Sequence, residues 1–214
     1  SKNGNVAHWI ARFWGRSILW ISRVPVTVNG LANIPSGNGS FVFMANHLSN
    51  FDIPILLARL PVQFRWLAKS ELFDIPLFGR AMRGCGYISI DRSDLQSAIR
   101  SLHRAAETVR NGTAVMIFPE GTRSPDGKIH PFKKGGFVLT VDAGVPIVPL
   151  ILHGTWHIMP KDRKMIRPRA VTLDVLPPVD TSQYERRSKE ALMDRIKTIM
   201  CEHFAQYEGY SACS

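Results

Sequence analysis

A chain of 214 residues has room for one domain with a sizeable core and little for a second catalytic one, since domains of about 100 to 200 residues are the commonest. Its 27 Lys and Arg against 17 Asp and Glu give a formal charge of +10, which points to phosphate-rich partners: nucleic acid, an anionic membrane surface or phosphorylated small molecules. The cysteines, Cys85, Cys201 and Cys213, are odd in number and lack a Cys-x-x-Cys spacing, so they indicate neither a metal site nor a disulfide framework and favour a reducing compartment.

Between Val6 and Val24 the apolar residues Val6, Trp9, Ile10, Phe13, Trp14, Ile18, Ile21 and Val24 recur at three- and four-residue steps, with His8, Arg12, Arg16 and Arg23 on the opposing side. This predicts an amphipathic helix over residues 1–24. Its arginines are costly at a bilayer centre, whereas basic groups opposite tryptophans suit the headgroup boundary. A helix packed on its own domain is the other reading of the same stripe. The opening residues lack the apolar core and small-residue cleavage site of a secretory signal. No run reaches about 18 uninterrupted apolar residues, so a membrane role is expected to be peripheral.

Pro25 ends the helix, and Val26, Val28 and Gly30 predict a short strand and turn before the Pro-Ser-Gly-Asn-Gly loop at 35–39. Phe41 to Ala45 predicts a buried strand, followed by a polar turn and a helix over Ile53 to Leu60 with Pro54 in its first turn. The alternation continues with strand Phe64 to Ala68, a helical region around Leu72 to Met82, strand Tyr87 to Ile90 and a helix from Asp94 to Arg110. Thr113 to Phe118, Val145 to Leu152 and Val171 to Leu176 are further strands, with a helix near Gly136 to Ala143. A last helix, Gln183 to Tyr207, sets Leu192, Ile196, Ile199, Met200 and Phe204 on one face. This order predicts an α/β fold in which a central mixed sheet is flanked by helices, with residues 25–214 as one domain.

The turn after Phe41 to Ala45 reads Asn46-His47-Leu48-Ser49-Asn50-Phe51-Asp52, which sets a histidine at a strand's carboxyl end and a carboxylate at the next helix start. Open α/β sheets bind ligands at that edge. An imidazole there can take a proton from an alcohol, and a carboxylate can fix its tautomer, provided that the loop curls back. Helix capping by Ser49 or Asp52 explains the same letters without chemistry. Gly86 to Arg92, Phe118 to Ser124 and Val145 to Pro149 also lie at strands. Among them Arg92 and Arg123 offer planar forks suited to phosphate oxygens, and Gly121 permits close backbone approach to an anion.

Taken together, the blocks from Val26 to Gly154 resemble the glycerolipid acyltransferases typified by 1-acylglycerol-3-phosphate (lysophosphatidic acid) acyltransferase. Asn46, His47, Ser49 and Asp52 match the first block, Ile90-Asp91-Arg92 the second, Phe118 to Ser124 the third and Val145 to Pro149 the fourth. Lys69 to Gly79 resembles the segment between the first two. Ser89 departs from the bulkier residue common in the second block, and His47 and Asp52 do not depart at all.

The resemblance implies acyl transfer from acyl-CoA or acyl carrier protein to the free hydroxyl of a lysophospholipid acceptor, 1-acylglycerol-3-phosphate, forming phosphatidic acid with no cofactor. His47 and Asp52 would be catalytic, and Lys69, Arg92, Glu120, Gly121 and Arg123 would bind substrate. Attachment to an anionic membrane surface on the cytoplasmic side, as a peripheral or monotopic protein, is expected. Two other readings stand beside it: a relative acting on glycerol-3-phosphate or another lyso-lipid, including one without phosphate, and a non-catalytic basic protein that binds membranes or nucleic acid. No helix-turn-helix, zinc-ligand or aromatic RNA-binding signature supports a nucleic-acid partner.

Overall fold

Seven strands form one mixed sheet in the order β1-β7-β6-β2-β5-β3-β4. A computed structural model describes residues 4–37, 39–91, 94–163, 165–208 and 213. The chain begins with α1 (Asn5–Ile21) and β1 (Val26–Asn29) and reaches the sheet centre with β2 (Val42–Ala45). It continues through α2 (Asp52–Arg59), β3 (Phe64–Lys69), α3 (Phe78–Gly84), β4 (Ile88–Ile90), α4 (Leu95–Arg110) and β5 (Ala114–Ile117). After a long loop come α5 (Lys134–Ala143), β6 (Ile147–His153), the short α6 (Thr155–Ile158), β7 (Val171–Val175) and α7 (Lys189–Glu208).

All neighbouring strands run parallel except β6 and β7. Parallel neighbours need crossover helices, which cover both faces, so β2, β5 and β6 are buried along their whole length and read as continuous apolar runs. On one face Phe43, Phe64, Trp66 and Met116 pack with Leu19 of α1 and Ile55 and Leu56 of α2. On the other, Val42, Met44, Val115 and Ile117 meet Val109 of α4, Phe137 of α5 and Leu192, Ile196 and Phe204 of α7. Because β2, β3, β4, β5 and β6 are mutually aligned, their carboxyl ends share one edge, and the segments that carry the sequence blocks leave from it.

Several expectations need correction. The region Leu72 to Met82 is not one helix: a 3₁₀ turn spans Ser70–Phe73 and α3 starts only at Phe78. Pro76 interrupts the amide ladder, and Leu77 takes a φ of +62°, which separates the two pieces. Gly79 then lies so close to the carbonyl of Phe73 that a side chain there has no room. The last helix starts at Lys189, since 183–188 form a turn and a 3₁₀ segment closed by a Glu185–Ser188 capping box. Cys201 and Cys213 form a disulfide against the expectation of none, because Cys213, bridged to Ile129, lies beside α7, a placement that spacing alone cannot reveal.

The basic side of α1 also differs from the headgroup-facing stripe expected. His8, Arg12, Gly15 and Leu19 are the buried residues of α1, while Trp9, Ile10, Phe13 and Trp14 are exposed. Burial first, then the neighbouring Arg65 and Arg12 charges, depress the His8 imidazole to about 4, so it sits neutral against the ring of Phe64. Arg16 and Arg23 remain exposed. No described helix is long and apolar enough to cross a membrane.

The α1–α2 crossing depends on Gly15, where an added Cβ would stand 2.9 Å from the Pro54 carbonyl oxygen and 3.2 Å from Leu57 Cβ. Gly15→Leu is therefore expected to push the helices apart and destabilise the fold by about 1 to 3 kcal/mol, read as a lower urea midpoint. An unchanged midpoint would show that the two helices do not depend on this close approach.

Candidate active site

His47 lies in the turn between β2 and α2, and the turn curls back so that its Nδ1 stands 2.8 Å from Oδ2 of Asp52. The same oxygen accepts the backbone N–H groups of Leu48 at 2.7 Å and Ser49 at 2.8 Å. Asp52 is wholly buried in the first turn of α2, where the helix dipole and the two amides favour its negative charge. An ionised carboxylate only accepts hydrogen bonds, so this network assigns the proton to Nδ1 and leaves the lone pair on Nε2.

The imidazole lies flat on Phe118, with ring centroids 3.9 Å apart and planes 9° from parallel, and Phe118 stacks in turn on Trp66 at 5.2 Å. Its backbone is held from two sides. The His47 N–H donates to Oε1 of Glu120 at 2.8 Å, and its carbonyl accepts the Ser124 N–H at 2.7 Å. Asn46 clamps the base of the turn to β6 by donating to the Leu152 carbonyl at 3.0 Å and accepting the Leu152 N–H at 2.8 Å. Ser49 Oγ donates to the carbonyl of Met159 at 2.9 Å.

Glu120 is 3% exposed. It lies beneath the turn, and its second oxygen accepts the His130 N–H at 2.9 Å. Burial is the main reason that its carboxyl is pushed up to about 7; the two backbone N–H groups oppose the rise, and the Asp52 and Asp126 charges add to it. Gly121 turns with a φ of +73°, its N–H bonded to the Phe118 carbonyl at 3.0 Å. Arg123 is half-buried in the same loop, with Nη1 3.5 Å from the carbonyl of Lys161. Lys69 is exposed at the carboxyl end of β3. Arg92 lies outside the described residues, just after β4 and Asp91.

The structure thus joins His47, Asp52 and Glu120 directly and puts Gly121 and Arg123 in the loop that braces them. Lys69 shares only the sheet edge. Sequence reasoning missed the parts played by Phe118, Trp66 and Asn46. Phe118 heads the third block and Asn46 precedes His47, so both were visible as letters, but Trp66 lies in a different strand and carries no signal.

Residues 25–153, more than half of the chain, match the Acyltransferase family. The chloroplastic 1-acyl-sn-glycerol-3-phosphate acyltransferase of Brassica napus is 41% identical over 153 residues, which are 72% of this chain and 44% of that protein. A 1-acyl-sn-glycerol-3-phosphate acyltransferase of Cocos nucifera is 31% identical over 193 residues, 90% of this chain and 62% of its own length. The chain therefore spans less than two thirds of these curated relatives. The crystal structure of the 1-acyl-sn-glycerophosphate (LPA) acyltransferase PlsC from Thermotoga maritima superimposes with a TM-score of 0.82 at 32% identity, covering 95% of this chain and 80% of that one.

The buried Glu120 carboxyl gives stability a pH dependence of known sign. Its pKa is higher in the folded protein, about 7, than the ordinary 4.5, so its contribution is complete below pH 4.5 and is lost as the pH rises through 7. Over that window the parent is expected to lose roughly 3 kcal/mol relative to Glu120→Gln. Urea unfolding at pH 4 and pH 8, which bracket both values, measures this. The amide of Gln also faces a backbone N–H, a penalty independent of pH, so the change in the difference is the readout; a constant difference would contradict a raised carboxyl.

Proposed function

Because the chain belongs to the Acyltransferase family, we propose that it transfers an acyl group from a thioester to the free hydroxyl of 1-acylglycerol-3-phosphate, with phosphatidic acid as product. The observation that carries the reading is the 2.8 Å contact between His47 Nδ1 and a buried Asp52 carboxylate, at the edge of the sheet where ligands bind. Nε2 of His47 takes the proton of the acceptor hydroxyl as its oxygen attacks the thioester carbonyl. Asp52 holds the tautomer and offsets the positive charge that develops on the ring. The tetrahedral intermediate collapses with cleavage of the C–S bond, and the departing thiolate takes the proton back from His47. No protein nucleophile enters, since Ser49 Oγ is engaged with Met159.

In this reading Arg123, Arg92 and Lys69 supply positive charge for the acceptor phosphate, with Gly121 allowing close backbone approach. Glu120 positions His47 through the backbone. The donor is acyl-CoA or acyl carrier protein. Attachment is peripheral, on the cytoplasmic side of the membrane, through the exposed side of α1, where Phe13 is 72% and Trp20 82% exposed.

Thioester consumption by the purified chain over a panel of acceptors, with products identified by mass spectrometry, tests the proposal. His47→Ala is expected to abolish transfer, and Asp52→Asn to retain a residual rate after losing about 10⁴ in kcat. Near-normal turnover by folded His47→Ala would remove the base from the mechanism. Preference for glycerol-3-phosphate or for an acceptor without phosphate would reassign the substrate, and the absence of any transfer would leave a basic binding protein.

Changing Trp9, Phe13 and Trp14 together to Ser is expected to release the chain from anionic vesicles in a sedimentation assay. Each buried aromatic contributes about 1.5 to 3 kcal/mol and each nearby basic group about 1. Unchanged sedimentation of the folded variant would exclude α1 as the anchor.

A further inference from the structure

A second histidine–carboxylate cluster lies on the other face of the sheet, against α7. His153 ends β6, and Asp174 lies diagonally across the antiparallel β6–β7 ladder, in which Ile151 pairs with Asp174 and His153 with Thr172. His203 reaches them from α7. Oδ2 of Asp174 is 2.8 Å from His203 Nε2 and 3.1 Å from His153 Nε2, and all three donor atoms lie within 4.8 Å of one another. We propose that His153, Asp174 and His203 bind a divalent transition-metal ion of the zinc class, fastening α7 to β6 and β7.

The donor set fits that class. Two imidazole nitrogens and one carboxylate oxygen, with a fourth position for water, are ligands typical of Zn²⁺ and its neighbours, and hard oxygen-seeking ions such as Mg²⁺ are disfavoured by the imidazoles. Donors about 2.0 to 2.2 Å from a tetrahedral ion lie roughly 3.4 Å apart. The two contacts with Asp174, at 2.8 and 3.1 Å, are a few tenths of an ångström shorter than that, and the three atoms lie within 4.8 Å of one another, so the ion needs only small side-chain shifts. Each ring binds the ion as a neutral imidazole through the Nε2 lone pair: in a neutral ring the remaining proton sits on Nδ1, and a protonated ring releases its Nε2 proton to solvent.

Surrounding groups hold the ligands ready. Asn29 Nδ2 donates to Oδ1 of Asp174 at 2.7 Å and leaves Oδ2 for the ion. The His153 ring is steadied by Phe204, stacked at 5.5 Å, and Tyr207 at 4.2 Å. The side chains of His153 and Asp174 are 6% and 5% exposed, while that of His203 is 26% exposed and marks the way in. Acyl transfer does not require this site, so the inference stands independently of the proposed function.

The full chain, stripped with a chelator and dialysed, should bind one Zn²⁺ per molecule by calorimetry. It should develop the visible absorption bands of tetrahedral Co²⁺ when titrated with that ion, and its thermal midpoint should rise with Zn²⁺. Asn29→Ala should weaken binding by about 10- to 100-fold, and His203→Ala by more than that. His103→Ala, which changes an exposed histidine elsewhere on α4, should bind as the parent does. Asp174→Asn is the stricter variant, but its buried position makes His203→Ala the safer one for folding. The absence of stoichiometric Zn²⁺ binding and of Co²⁺ bands in the folded parent would overturn the proposal, as would an unchanged affinity in folded His203→Ala.

Discussion

A single carboxylate oxygen, Oδ2 of Asp52, gathers the Leu48 and Ser49 amides and the His47 imidazole, and the site depends on that convergence. Without it, the turn between β2 and α2 loses the contacts that close it on the imidazole. The backbone donors hold the carboxylate, and the carboxylate sets which ring nitrogen carries the proton. Because Asp52 is also the first residue of α2, the helix that covers one face of the sheet begins at the group that orients the imidazole. Fold and chemistry therefore share one anchor, with its charge favoured by the helix start.

Around that anchor, polar groups of two segments, the turn itself and the loop after β5, are paired with backbone. Asn46 ties the turn to β6, Glu120 ties it to the loop after β5, Ser124 closes over the His47 carbonyl and Ser49 reaches Met159. A buried polar side chain is tolerated when its partners are met, and such a network holds a loop more rigidly than apolar packing does. The raised Glu120 carboxyl shows the tension in this arrangement: burial penalises its charge more than the two amides favour it. A brace with a proton near neutrality holds the imidazole without adding a full negative charge beside Asp52.

The N-terminal helix reverses the usual division of a surface helix. Its inward side carries His8 and Arg12, while tryptophan, phenylalanine and isoleucine face out. His8 is accommodated by losing its charge against Phe64, and Arg12 by laying its guanidinium over Trp9 at 5.1 Å. These outward apolar side chains are the surface to which the proposed membrane contact is assigned. Periodicity divided the two sides of this helix but did not say which one meets the protein, because hydrophobic spacing is the same for a core and for a lipid surface.

Local patterns sufficed for most of the order of strands and helices, for a family resemblance from Val26 to Gly154 where residues 25–153 match, and for His47 and Asp52 as a pair, since each depends on neighbours in the chain. Pro76 is legible as a letter, but the break at Leu77 depends on the Phe73 carbonyl lying against Gly79, a tertiary contact. The brace of Glu120, the clamp of Asn46 on Leu152, the ring of Phe118 beneath His47 and the Cys201–Cys213 link all join residues distant in sequence. So does the meeting of His153, Asp174 and His203, each on a different element. The sequence by itself determined the periodicities and the short-range motifs. Tertiary structure decided which face is inside and which distant polar groups pair, because crossover connections bring strands together in an order unlike the chain's, and burial then selects the contacts that leave few polar groups unmatched.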